Sequence, residues 1–150
     1  MTVQLSVISD TSPAAPGTVV GSIIGGLGDF DSFRIDALLT GATGGPLDVY
    51  LQRELATNVW ADWLHYTQIA TGASAVMVTA LAGASVVSAD VLALTTIGFG
   101  TTAAPGVALA AGKFIGGHPG SRVRAVYVAG ASTSAGAAQL IRFTCYRKIS

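Results

Sequence analysis

Apolar and polar residues alternate along several short runs of this chain, and glycine- or proline-rich breaks separate the runs. Residues 3–8 alternate until Asp10, Pro13 and Pro16 interrupt them, and residues 18–24 end at Gly25-Gly26. Residues 32–40 place Phe33, Ile35, Ala37 and Leu39 on one face and Arg34, Asp36 and Thr40 on the other, the two-residue period of a half-buried strand. Residues 47–53 do the same, with Leu47, Val49 and Leu51 against Asp48, Tyr50 and Gln52. Gly44-Gly45 lies between these two runs, so they are predicted to form a hairpin.

Further strands are predicted at residues 59–69, which hold both tryptophans, and at 73–81, 86–95, 107–114, 122–129 and 139–149. Gly72, Gly83, Gly98, Pro105, Gly116-Gly117, Pro119-Gly120 and the small-residue tract 130–136 punctuate them. Alanine favours helix over residues 73–111, but valine, threonine and internal glycines oppose it, and no capping box introduces a 3.6-residue period. The expected fold is therefore all-β, an antiparallel β-sandwich built as a jelly roll of about eight strands. No composition shift divides the chain, so residues 1–150 are expected to form one domain. Residues 1–17 are a candidate N-terminal arm, with Pro13 and Pro16 as candidate partner contacts.

Composition narrows the function. Hydrophobic residues make up 51% and charged residues 11%, which excludes a disordered chain or a charged coiled coil. Residues 63–89 and 91–112 carry no Asp, Glu, Lys or Arg, long enough to raise the question of a membrane span. They are made of small and β-branched residues broken by glycine and proline, which argues against insertion. Eight basic and eight acidic side chains cancel, so no long-range attraction to nucleic acid or anionic lipid is expected. Cys145 is the only cysteine, which rules out an intrachain disulfide framework. Residues 1–10 lack the basic start of a signal peptide, and synthesis in a cytoplasm is expected.

The chemistry-bearing residues are few. His65 and His118 are the only histidines, the first on a predicted strand and the second in a glycine-rich turn, and both read as structural. With Cys145 they make a nucleophile–base pair possible in composition only. Two histidines, one cysteine and one glutamate, Glu54, are too few for a histidine- or thiolate-based metal centre or a cupin site. Asp29 and Asp31 read as turn residues, and Gly106 to Lys113 fails the P-loop spacing and lacks its hydroxyl. Neither a catalytic set, a cofactor nor a metal is expected. Trp60, Trp63 and Tyr66, with Tyr50 nearby, form the one aromatic concentration, suited to core packing, a protein interface or a sugar platform. Arg122 and Arg124 belong to a basic C-terminal third, whereas acids gather in the first fifty residues, an asymmetry suited to an interaction face.

Two segments carry a resemblance. Gly44-Gly45 followed by Leu47-Asp48-Val49-Tyr50-Leu51-Gln52, with Trp60-Ala61-Asp62-Trp63-Leu64-His65-Tyr66-Thr67-Gln68, resembles small structural proteins of tailed bacteriophages. The Arg-Val-Arg strand within residues 118–127 and the Phe-centred strand at 139–146 resemble the closing strand pair of the same proteins. The likeness covers about half of the chain; Glu54-Leu55-Ala56-Thr57-Asn58 stands where that family has an Asp-Gly-Gly turn.

The resemblance implies a capsid decoration, or cement, protein with a jelly-roll fold. Such a protein is a homotrimer on the virion exterior that binds the major capsid protein, made in the host bacterial cytoplasm. The implied partners are the shell and other copies of the chain, with neither nucleic acid nor membrane among them. A carbohydrate-binding β-sandwich and a tail or neck component are the alternatives. Pro13, Pro16, Trp60, Trp63, Tyr66, Arg122 and Arg124 are the expected contact residues.

Overall fold

The computed structural model describes residues 2–11, 17–30, 32–39, 45–70, 76–82, 95–96, 108–116, 118–130 and 138–147. In chain order these form β1 (Thr2–Thr11), β2 (Gly17–Ile24), a 3-10 turn at Leu27–Asp29, β3 (Ser32–Leu39), β4 (Leu47–Ala56) and β5 (Val59–His65). There follow β6 (Val76–Ala82), β7 (Thr95–Thr96), β8 (Lys113–Phe114), β9 (Val123–Ala129) and β10 (Ala138–Arg147). The described residues are all-β apart from that 3-10 turn, as the alternation predicts. One sheet has the order β1-β10-β3-β6 and the other β2-β9-β4-β5-β8-β7. Every strand pair is antiparallel except the short parallel contact of β7 with β8.

The inner faces follow from the apolar alternation. In the four-stranded sheet Phe33, Ile35 and Ala37 of β3 stand opposite Cys145, Phe143 and Ile141 of β10, and all six are buried. The other sheet contributes Leu47, Val49 and Leu51 from β4 and Val123, Ala125 and Tyr127 from β9. These residues join in a single core cluster between the sheets, each large side chain contributing about 1.5–3 kcal/mol by leaving water. Among the described residues no helix is long and apolar enough to cross a membrane.

Three local expectations are corrected. The runs at 32–40 and 47–53 do not form a hairpin, because they lie in different sheets: β3 is flanked by β10 and β6, and β4 by β9 and β5. Both edges of each strand are occupied. The hairpin that does form joins β4 to β5, with Asn58 in the left-handed region at φ 62° and its N–H donating to Glu54 Oε1 at 2.9 Å.

The strand predicted at 107–114 shrinks to Lys113–Phe114, because side chains rather than a neighbouring strand hold the backbone at Leu109. The strand predicted at 59–69 stops at His65, and Ile69 keeps only an isolated bridge to Leu47. Of the N-terminal segment, residues 2–11 run beside β10 along their whole length. Pro13, Pro16, Asp31 and Gly106 lie outside the described residues, as does most of the run at 86–95.

A bulge in β5 prepares the surface discussed next. Leu51 pairs with Leu64 but Gln52 pairs with Asp62, so Trp63 is an extra residue on its strand. Trp63 and Leu64 are consequently both buried, while Asp62 and His65 both reach groups on the outer face.

Candidate functional site

The outer face of the six-stranded sheet gathers Tyr50, Glu54, Trp60, His65, Arg122 and Arg124 from among the residues singled out in the sequence. Val20, Val126, Tyr50 and His65 make one cross-strand row, and Ile23, Arg124, Gln52 and Asp62 make the next. Glu54 and Trp60 pair in a third row, with Arg122 beside them. A groove of about 240 Å3 is lined by Tyr50, Gln52, Trp60, Ala61, Asp62, Ala108, Val126 and Val128.

The polar groups of this face are largely committed to one another. Arg124 Nε–H donates to Gln52 Oε1 at 2.9 Å, and Gln52 Nε2–H donates to Asp62 Oδ1 at 2.9 Å. Asp62 Oδ2 accepts the buried Leu109 N–H at 2.8 Å. His65 Nδ1–H donates to the Leu109 carbonyl at 2.7 Å, so the peptide groups on both sides of Leu109 are gripped by side chains of β5. His65 Nε2 faces Asp48 Oδ1 at 3.1 Å, its ring stacks on Tyr50 at 3.8 Å, and Gln68 donates to the second Asp48 oxygen at 2.9 Å. Arg122 Nη1 lies 2.9 Å from both Glu54 oxygens.

The predicted contact residues separate into two groups. Trp60, Arg122 and Arg124 come together: the Arg124 guanidinium lies 4.3 Å from the Trp60 ring centroid and that of Arg122 lies 5.8 Å away, a cation–π arrangement. Trp63 and Tyr66 do not join them. They are core residues, 2% and 0% exposed, and the β5 bulge turns Trp63 inward.

His118 fastens a turn, facing the Phe30 carbonyl through Nε2 and accepting the Gly120 N–H at Nδ1, with its ring edge-on to Phe33. Cys145 lies on the inner face of β10 in the opposite sheet, so the thiol–imidazole pair that composition permits with His65 is not formed. Asp48, Gln52, Asp62 and Leu109 were not singled out. The signal of Asp48, Gln52 and Asp62 is their place beside buried neighbours, which any solvated strand face gives, and Leu109, a buried apolar residue in a run of small ones, gives none.

Burial pushes the Cys145 thiol and the Tyr66 hydroxyl above their ordinary ranges, with Tyr127 and Asp36 adding to the effect at Tyr66. Tyr50 is also raised, by burial first and then by Asp48 and Asp62. In the unfolded chain the thiol ionises at about 8.5 and the phenols at about 10, so above those values the unfolded state sheds protons that the folded state keeps. Stability from these groups is complete below those values and declines as pH rises through them. Urea midpoints are expected to fall between pH 7.5 and about pH 10.5; an unchanged midpoint would contradict the burial of these groups.

Comparison of the chain with protein-family models, curated proteins and solved structures returns no match.

Proposed function

We propose that the chain is a non-enzymatic structural protein that docks on a larger assembly through the outer face of its six-stranded sheet. The observation that carries this reading is the character of that face. Its carboxylates, amides and His65 are paired with one another, while Val20 and Ile23 stand 51% and 45% exposed beside Val126 and the Trp60–arginine stack. Such a preformed surface suits contact rather than bond-making, since no nucleophile meets a base on it among the described residues.

The resemblance to small tailed-phage proteins makes the assembly a capsid shell and the chain a decoration protein, attached as a trimer to the major capsid protein on the virion exterior. The wiring supports that reading. We read the orders β1-β10-β3-β6 and β2-β9-β4-β5 of the eight longer strands among the described residues as a jelly roll of two Greek keys, an architecture found in viral capsid and lectin domains. Threefold attachment multiplies individually weak contacts.

A density gradient of lysate from the source culture, with this chain quantified against the dominant shell protein, tests the proposal. Co-sedimentation at a large fixed ratio is expected. A few copies per particle would move the protein to the tail or neck, and slow sedimentation as free protein would overturn the structural role. One observation favours a second reading, a carbohydrate-binding module: Tyr50 and Trp60 both line the groove. Sugar-induced change in tryptophan fluorescence would support it.

A further inference from the structure

Arg124 sits at the middle of the outer face, between Ile23 on β2 and Gln52 on β4. Two contacts hold its guanidinium, the Trp60 ring under Cζ at 4.3 Å and Gln52 on Nε, and Gln52 is itself oriented by the Asp62 carboxylate that Leu109 N–H anchors. The two nearest acids on this face are engaged elsewhere, Glu54 by Arg122 and Asp62 by Gln52 and Leu109. Among the described residues, no carboxylate forms an ion pair with Arg124, and its two terminal nitrogens have no acceptor. Burial lowers its pKa, and nearby Glu54 offsets part of that. A partly desolvated cation fixed by stacking but lacking an anion is pre-organised for a bidentate carboxylate, because ordering and much of the desolvation precede binding.

We propose that Arg124 is the anchor of a protein-docking surface that takes a carboxylate side chain flanked by aliphatic residues of the partner. The inference rests on the docking role proposed above and specifies its chemistry. Val20 and Ile23, exposed on the neighbouring strand, supply the apolar rim such a segment would cover. A sugar fits less well: the groove's amide and carboxylate are already hydrogen-bonded within the protein, and the aliphatic rim offers hydroxyl groups no partner.

The test uses the 15N-labelled whole chain and follows the Trp60 indole N–H and Arg124 Nε–H signals during titration with the peptide Ac-Val-Glu-Val-Glu-Val-NH2. The same peptide with glutamine in place of glutamate, and an oligogalacturonate, are titrated in parallel. Saturable shifts of both signals are expected with the glutamate peptide, with affinity about tenfold weaker for the glutamine peptide, the ratio of a charge-assisted to a neutral pair. Arg124→Gln is expected to abolish the selectivity and Arg34→Gln, on the opposite sheet, to preserve it. Equal response to both peptides, no response at these signals, or a response only to the oligogalacturonate would overturn the proposal. Particle attachment is scored separately. Glutamate selectivity without co-sedimentation sinks the capsid reading alone, and co-sedimentation without that selectivity sinks the anchor alone.

Discussion

Replacing Phe143 with alanine is expected to destabilise the protein by about 3–5 kcal/mol, a large part of the ~5–15 kcal/mol that holds a typical domain together. Phe143 is fully buried at the centre of β10, opposite Ile35 on β3 and Ser6 on β1. A strand with neighbours on both edges cannot slide inward without breaking two ladders, so the cavity left by the ring would remain open. Phe143→Leu keeps most of the volume and is expected to cost under about 1.5 kcal/mol. Urea denaturation of the two variants beside the parent chain decides the matter. An alanine variant within 1 kcal/mol of the parent would mean, on the cavity argument, that the sheets do not pack as described.

Asp62→Ala is expected to cost about 2–4 kcal/mol, because it strands two donors rather than removing bulk. The buried Leu109 N–H loses its acceptor, and Gln52 loses the group that orients it towards Arg124. Loss should be local before it is global. Hydrogen exchange at the Leu109 amide is expected to accelerate well beyond that of core amides on β4 and β9, while Asp62→Asn, which retains one acceptor oxygen, is expected to lose less than half as much stability. If the Leu109 amide exchanges no faster in Asp62→Ala than in the parent, the clasp between β5 and residues 108–110 does not carry load.

These two sites also mark how far the sequence was legible. Phe143 alternates with Arg142 and Thr144, and that period alone put it on the buried face of a strand; the same held for Phe33, Ile35, Val49 and Leu51. Pairing was harder to read. A Gly-Gly turn between two alternating runs is equally compatible with a hairpin and with a crossover, because local sequence reports each strand's buried face but not which strand lies alongside. The hairpin that exists uses Asn58, a weaker turn signal than Gly44-Gly45.

At the candidate site, Trp60 and both arginines were visible as an aromatic and charged concentration, but the division between Trp60 and Trp63 was not. It depends on the unpaired residue in β5, which shifts the alternation between Ala61 and Leu64, within a run from Ala61 to Tyr66 that is buried throughout. The grip on Leu109 comes from residues 44 and 47 positions away in the chain, beyond the reach of any local pattern.

The place of β10 inside its sheet, with β1 on one side and β3 on the other, has a consequence for the order of events on the ribosome. The hairpin of β4 and β5 can close as soon as it emerges. β1 and β3 cannot pair through their shared neighbour until residues 138–147 have been made, which at elongation speeds of ~5–20 residues per second leaves β1 waiting on the order of ten seconds. For that interval the nascent chain carries open strand edges, a template for pairing with other chains. Expression at lower temperature, or with a holdase present, should therefore raise the soluble yield more than any change made to the finished protein's surface.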